Sequence, residues 1–326
     1  MVCKTGAHYF FNVNSMAMLS LVIPIFNEEQ IIDELLTRTV KAVESITADY
    51  EIIFVDDGST DNSSEQILNY RKKNSRIKLL SLSRNFGHQA AYTAGLEYSK
   101  GNIIAMLDGD LQDPPELLPE MYRKITEEDY DIVSGKRSGR KGHLGRNLSS
   151  TVFHLIFKNI GDIKNMENYG NYSVMKRIAV EALLSMKEKV RYLPGLRTVI
   201  GFKQGFVEYI RDDRFEGKPK MTFRKLFTLA SDAIFSFSRF PIALCLILGT
   251  VGTAVFMGAG LYVIIAKISG TAVPGWSSTL LSLYFLGSIQ LVFLGIIGEY
   301  IFRNYKESQN RPVYFVRKIY DDTDTN

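Results

Sequence analysis

Two stretches near the C-terminal end set the strongest limit on how this chain can fold. Ile242 to Ile265 contains no charged residue, and Leu280 to Gly298 is interrupted only by Gln290 and by small Ser and Gly residues. At ~1.5 Å per residue, the first would form a helix roughly 36 Å long, enough to cross a bilayer. A pair of buried core helices is the competing reading, but neither run shows a polar face. Between them, Lys267 to Thr279 is a short turn holding Pro274, Gly275 and the single tryptophan, Trp276, with one basic residue. Arg224, Lys225 and Arg239 precede the first run, and Arg303, Lys306, Arg311, Arg317 and Lys318 follow the second. The positive-inside rule then predicts both chain ends in the cytoplasm, with Trp276 at the far interface. The expected hairpin occupies 241–302, with spans at about 242–265 and 280–301.

The segments flanking the hairpin are polar. Residues 220–240 place Phe223, Leu226, Phe227, Ala230, Ile234 and Phe237 at helical spacing around Arg224 and Lys225, which suits an amphipathic helix in the membrane surface. Residues 303–326 read as a cytoplasmic tail. Gly249, Gly252, Thr253, Gly258 and Gly260 in the first run allow close helix approach, and a homo-oligomer is expected, a tetramer being one form. Glu299 stands four residues before Arg303, the spacing of an ion pair along a helix.

The first 18 residues form an N-terminal extension without the apolar core and cleavage site of a secretory signal. Residues 19–219 read as one α/β domain. Leu19–Phe26 is an apolar strand, and Glu28–Ile46 carries Ile31, Ile32, Leu35, Leu36, Val40 and Val43 in helical register. Strands at Glu51–Val55, Ile77–Leu82, Ile103–Leu107 and Asp131–Ser134 continue the series. Helices lie between them, one capped by Asp61 or Asn62, others near His88–Lys100 and Pro115–Glu127. Such alternation predicts a mostly parallel, doubly wound sheet.

Ligands bind such sheets at the carboxyl ends of the strands. Polar groups collect there: Asn27 and Glu28, Asp56 and Asp57, Arg84 and Asn85, Asp108 and Asp110. Any one of them could cap a helix; four strand ends sending polar groups to one rim read as a site. Asp108 and Asp110 flank Gly109, with Asp113 just beyond. If the strand stays extended, positions two apart share a side, and two hard oxygen ligands suit Mg²⁺ or Mn²⁺ shared with a diphosphate.

Other classes find no support. No G-x-G-x-x-G follows the first strand, and no G-x-x-x-x-G-K-[ST] loop is present. Cys3 and Cys245 form neither a zinc spacing nor a disulfide framework, which fits a reducing compartment. A formal net charge of +4 gives no reason to expect a nucleic-acid partner. Basic residues do concentrate in Ser134–Asn147 and again at Arg211, Arg214, Lys218 and Lys220, where phosphate groups or anionic headgroups would meet them.

The runs LVIPIFNEEQ, IIFVDDGSTD, LSRNFGHQAAYTAGL and MLDGDLQDPPELLPEM resemble the inverting family 2 glycosyltransferases, which have a GT-A fold. With GFKQGFVEYIRDDRFEGKPKM, LASDAIFSFSRFPI and GEYIFRNY…RPVY, the resemblance narrows to the polyprenyl-phosphate glycosyltransferases, relatives of dolichyl-phosphate mannose synthase and bactoprenol glucosyltransferases. It covers about Leu19 to Tyr314. It implies that Pro24, Phe26, Glu28, Asp56 and Asp57 hold base and ribose, with Arg84 also on the nucleotide. Asp108 and Asp110 would bind metal and diphosphate beside Gln112, and Arg137 would contact phosphate. Arg140, Arg214 and Lys220 would face the acceptor phosphate. The implied partners are a nucleotide-sugar, UDP-linked rather than GDP-linked, and undecaprenyl phosphate, at the bacterial cytoplasmic (inner) membrane.

The chain departs from the family at one place. Where many members have D-x-G-D-F-R, it has Asn168-Tyr169-Gly170-Asn171-Tyr172-Ser173. A carboxylate assigned as catalytic base is therefore replaced, with Glu167 a candidate substitute. The change leaves open two rivals: a transferase that extends a glycan chain, and a non-catalytic membrane scaffold. Against a processive synthase, no Q-x-x-R-W is present.

Overall fold

The computed structural model describes residues 18–137, 169–189, 191–210, 240–269 and 275–321. The expected surface helix at 220–240, apart from Phe240, lies outside them. The chain divides into two compact units, one holding a sheet and the segment from Pro312 onward, the other holding two long helices.

The sheet-bearing unit begins with β1 (Leu19–Ile25), α1 (Ile32–Glu44), β2 (Tyr50–Asp56), α2 (Ser63–Arg71), β3 (Ile77–Leu82), α3 (His88–Tyr98) and β4 (Ile103–Met106). It continues with a short 3-10 turn at Pro115–Leu117, α4 (Leu118–Glu127), β5 (Ile132–Arg137), β6 (Tyr169–Lys176), α5 (Arg177–Ser185), α6 (Leu193–Val199) and β7 (Gln204–Tyr209). One more strand, β8 (Val316–Tyr320), follows the long helices in sequence. The eight strands run in the order β7-β5-β6-β4-β1-β2-β3-β8. β1 pairs in parallel with both β2 and β4, β2 with β3, and β5 with β7. β6 runs antiparallel to β4 and β5, and β8 antiparallel to β3. All seven residues of β1 and all seven of β2 are buried, as expected of central parallel strands covered on both faces. The expected α/β sheet is therefore present, and its parallel strands end together: Ile25 is in register with Asp56, and Asp56 with Ser81.

Three details differ from the sequence reading. β4 stops at Met106, not Leu107, and β5 extends past Ser134 to Arg137. The segment after the hairpin contributes a sheet strand as well as a tail. Of the two residues expected at the start of α2, Asn62 makes no side-chain cap bond, and Asp61 accepts from the Ser63 amide at 3.1 Å and its hydroxyl at 2.6 Å.

One charged pair is buried within this sheet. Lys78 Nζ lies 2.7 Å from Glu51 Oε2, with side chains 5% and 1% exposed. The other Glu51 oxygen accepts from Ser20 Oγ at 2.6 Å and the Lys100 amide at 2.7 Å. Burial pushes the Glu51 carboxyl up, but these hydrogen bonds and the Lys78 charge outweigh it, so its pKa lies below the usual glutamate value. A lowered folded-state pKa gives stability that is present above the unfolded value, about 4.3, and is lost as pH falls through the folded one. Glu51→Gln takes the buried carboxylate away from the Lys78 charge and is expected to cost about 3–5 kcal/mol at neutral pH. Thermal melts from pH 3 to 7 should show the variant less stable and with a flatter acid limb than the native chain.

The second unit holds α7 (Phe240–Ile268) and α8 (Trp276–Ser308), of 29 and 33 residues. Within them, Ile247–Ala266 and Phe285–Ser308 are long and apolar enough to cross a membrane, and neither window is buried. Ile247, Val251, Val255, Met257, Leu291 and Leu294 are all exposed. This exposure speaks against the core-helix alternative, because a core helix hides its apolar side chains from the surroundings. The predicted helical ion pair is present, with Arg303 Nε 2.8 Å from Glu299 Oε1.

Candidate active site

The carboxyl ends of β1 to β4 form a rim whose loops are laced together. Asn27 adopts a left-handed backbone, φ 55°, and its Oδ1 accepts from the Thr60 amide at 2.8 Å. Its own amide donates to Ser59 Oγ at 3.0 Å, and that of Glu28 to Ser63 Oγ at 2.9 Å. Pro24 is buried in β1; Phe26 and Glu28 are half-buried just beyond it.

Asp56 and Asp57 reach the rim but are 6% and 3% exposed. Asp56 accepts from the Ser59 amide at 2.8 Å and the Ser64 hydroxyl at 2.5 Å. Asp57 accepts from the amides of Phe86, 2.7 Å, and Gly87, 2.9 Å. Burial raises the Asp57 pKa, and the nearby Asp56 charge adds to this against the two amides. In this structure both carboxylates fasten the rim loops. Gly58 between them and α2 has φ 77°, and a Cβ there would meet the Arg84 carbonyl carbon at 2.7 Å, so the two loops close only on glycine. Arg84 is exposed and stacks on the Phe86 ring at 4.3 Å.

The aspartates of D-G-D are placed differently from the expectation. With β4 ending at Met106, Gly109 and Asp110 form a turn, and the two-residue alternation of a strand does not apply. The glycine is needed because a Cβ at 109 would meet the Pro24 carbonyl oxygen at 2.7 Å. Leu111 continues the turn at φ 55°, and the Gln112 amide donates to Asp110 Oδ1 at 3.2 Å. Asp108 accepts on Oδ1 from Tyr92 Oη, 2.7 Å, and lies 3.1 Å from His88 Nε2. Burial would raise its pKa, but His88, Tyr92 and the charge of Arg137 hold it down at about 2. His88 is shifted the other way: burial opposes its protonation, but Asp108, then Asp110 and Asp57, overcome that and raise its pKa.

Asp113 is not available as a third cation ligand. It is fully buried, accepts from Tyr209 Oη at 2.5 Å and lies 3.2 Å from Arg137 Nη2. Tyr209 also accepts from Arg137 Nε at 3.2 Å. Burial alone would lower the Arg137 pKa, but the Asp113 charge and the Tyr209 contact raise it. Arg137 is thus a fixed cation at the end of β5, near enough to Asp108 to lower its pKa. Glu167, Arg140, Arg214, Lys220 and Asn168 lie outside the described residues.

Among the described residues, no group of three or more His, Cys, Asp or Glu side chains gathers into a metal cage. The donor set is two carboxylates from one turn. That fits an Mg²⁺ or Mn²⁺ ion that takes its remaining oxygen ligands from a diphosphate and water.

Residues 20–184 match the family model described as glycosyl transferase family 2. The chain is a family 2 glycosyltransferase. An uncharacterised glycosyltransferase from Synechocystis is 37% identical over 93% of this chain and 95% of its own. A prophage bactoprenol glucosyl transferase homologue from Escherichia coli is 37% identical over 92% and 99%, and the bactoprenol glucosyl transferase of Shigella phage SfX 36% over 92% and 98%. Among solved structures, glucosyl-3-phosphoglycerate synthase of Mycobacterium tuberculosis, with Mn²⁺ and UDP, aligns at TM-score 0.45, 16% identity and 71% and 84% coverage. A Pyrobaculum calidifontis mannosyltransferase with GDP-mannose and Mn²⁺ aligns at 0.44, 15%, 86% and 87%.

Several residues around this transferase's site were not singled out in the sequence: His88, Gln89, Tyr92, Arg197 and Tyr209. For His88 and Tyr92 the signal was available. They open the helix that follows β3, one turn apart, and so face the rim together. For Tyr209 there was none, since it lies 96 residues from Asp113.

Proposed function

We propose that this glycosyltransferase moves a sugar from a UDP-sugar to undecaprenyl phosphate at the cytoplasmic membrane face, inverting the anomeric configuration. The observation that carries the reading is the place of β8. Residues before and after the apolar hairpin hydrogen-bond in one sheet, Leu80 opposite Ile319 and Leu82 opposite Val316. A sheet lies on one side of a membrane, so the chain between must cross an even number of times, in keeping with two spans. The sheet-bearing unit is then joined through the chain to both ends of the hairpin. Relatives named for bactoprenol, alike over nearly their whole length, support the same acceptor.

On this reading an oxygen of the acceptor phosphate attacks the anomeric carbon as the bond to the nucleoside diphosphate breaks. A divalent cation held by Asp108 and Asp110 would offset charge on the departing diphosphate. Arg137, fixed by Asp113 and Tyr209, would bind a phosphate oxygen. No general base is required, although Glu167 could serve as one. A phosphate monoester has a second pKa near ~6, so the acceptor is largely ionised at neutral pH, and base assistance of about 10²–10⁴-fold matters mainly for hydroxyl acceptors. An amide at Asn171 is compatible with that chemistry.

The test uses detergent-purified protein with undecaprenyl phosphate and labelled nucleotide sugars, with Mg²⁺, Mn²⁺ or EDTA. The expected result is label entering an organic-extractable lipid from one donor, and none with EDTA. Nucleotide binding with no lipid labelling from any donor would overturn the acceptor assignment.

A further inference from the structure

Asp108 uses its two oxygens unequally. Among the described residues, the side chains of Tyr92, through Oη, and His88, through Nε2, both meet Oδ1, while the Asp108 side chain keeps 15% of its surface exposed. His88 sits edge-on against Tyr92, ring centroids 4.7 Å apart at 78°. Its other nitrogen, Nδ1, lies 3.5 Å from Asn171 Nδ2. In the neutral ring, Nδ1 can accept from that amide while Nε2 carries the proton and donates to Asp108, the pattern by which one ring nitrogen's partner sets the other's role.

Asn171 is itself held on both sides. Its Oδ1 accepts from Gln89 Nε2 at 3.1 Å, and Gln89 Oε1 accepts from the Leu193 amide at 2.9 Å. Its backbone carbonyl accepts from Arg197 Nη1 at 3.3 Å, and Arg197 also donates to the Gly170 carbonyl. Arg197 is 2% exposed; burial lowers its pKa to about 10, so it stays charged at neutral pH. Burying a cation costs desolvation, which its hydrogen bonds to two main-chain oxygens offset in part. What it fixes is the start of β6, where Asn171 stands. An amide can accept from Gln89 and donate to His88 together, whereas an ionised carboxylate offers acceptors alone.

We propose that Asn171 and His88 are positioning residues that hold Asp108 by Oδ1 and so present Oδ2 to the divalent cation. The proposal rests on the reading of Asp108 as a metal ligand. Asn171 acts through His88, and Arg197 and Gln89 keep Asn171 in place.

The test measures Mn²⁺ affinity of the full chain in detergent with UDP present, by the electron paramagnetic resonance signal of free Mn²⁺, without turnover. Asp108→Asn is expected to lose Mn²⁺ binding. Asn171→Leu and His88→Phe, which keeps the ring against Tyr92, should each weaken it about tenfold, as loss of a ligand's supporting partner typically does. The double variant should be no weaker than His88→Phe alone, because residues acting in series are not additive. UDP affinity without metal, together with the melting temperature, shows that each variant is folded. Asn171→Leu within about twofold of native while Asp108→Asn is lost would overturn the proposal and leave the metal site standing. Additive losses in the double variant would overturn the series arrangement. Normal Mn²⁺ binding by Asp108→Asn would overturn the metal site and the proposal together.

Discussion

Asp110→Asn is expected to reduce sugar transfer by on the order of 10³-fold while the protein stays folded and soluble in detergent. The substitution keeps the shape of the side chain and an oxygen able to accept from the Gln112 amide, so the turn at Gly109–Leu111 survives. What it removes is half of the anionic donor set. A bound cation at departing phosphate oxygens is worth several kcal/mol, and a loss of about 4 kcal/mol corresponds to roughly 10³-fold. The loss should appear in kcat at saturating donor, because charge on the leaving diphosphate grows toward the transition state. Asp57→Asn provides the contrast. Asp57 touches the amides of Phe86 and Gly87, so its loss should loosen the rim loop and raise the donor KM. Initial rates against donor concentration, with product extracted into organic solvent, separate the two. Full activity in Asp110→Asn would remove this residue from the metal site.

The parts of this fold that could be read from the sequence are those where burial leaves a periodic mark. β1 and β2 are apolar along their length because both faces are covered, and α1 shows its buried face at Ile32, Leu35, Leu36 and Val43. β8 left no such mark. VRKIY is an exposed edge strand held by main-chain hydrogen bonds, which any sequence can make, and so it passed for tail. β6 was noticed only for its departure from a family pattern, whereas its antiparallel pairing inserts it between β4 and β5. At the site, D-G-D and the polar strand ends were legible because residue type and position coincide. Their partners were not: Asp113 looked like one more carboxylate for a cation, and only tertiary packing gives it to Arg137 and Tyr209.

Ending the chain after Arg311 is expected to cost on the order of 3–5 kcal/mol in the sheet-bearing unit and to weaken donor binding. The deletion takes away β8 and leaves the main-chain groups of β3 unpaired along the sheet edge, a template for aggregation. It also removes three side-chain anchors: Tyr314 to Glu97, and Asp321 to both Arg71 and Tyr98. At about 1 kcal/mol for each such bond, these account for most of the expected loss, and the opened edge for the rest. For a unit of this size the melting temperature should fall by about 10 °C. The effect on the donor follows a separate path. The Phe315 carbonyl accepts from the Ser83 amide at 2.9 Å, and its ring lies 6.1 Å from Phe86, whose amide holds Asp57. Phe315→Ala keeps β8 and removes only the ring, so it should weaken UDP binding a few-fold with little change in melting temperature. If Phe315→Ala binds UDP normally while the truncation does not, the loss of donor affinity comes from the damaged sheet. If both bind UDP normally, β8 serves only to tie the end of the hairpin to the sheet.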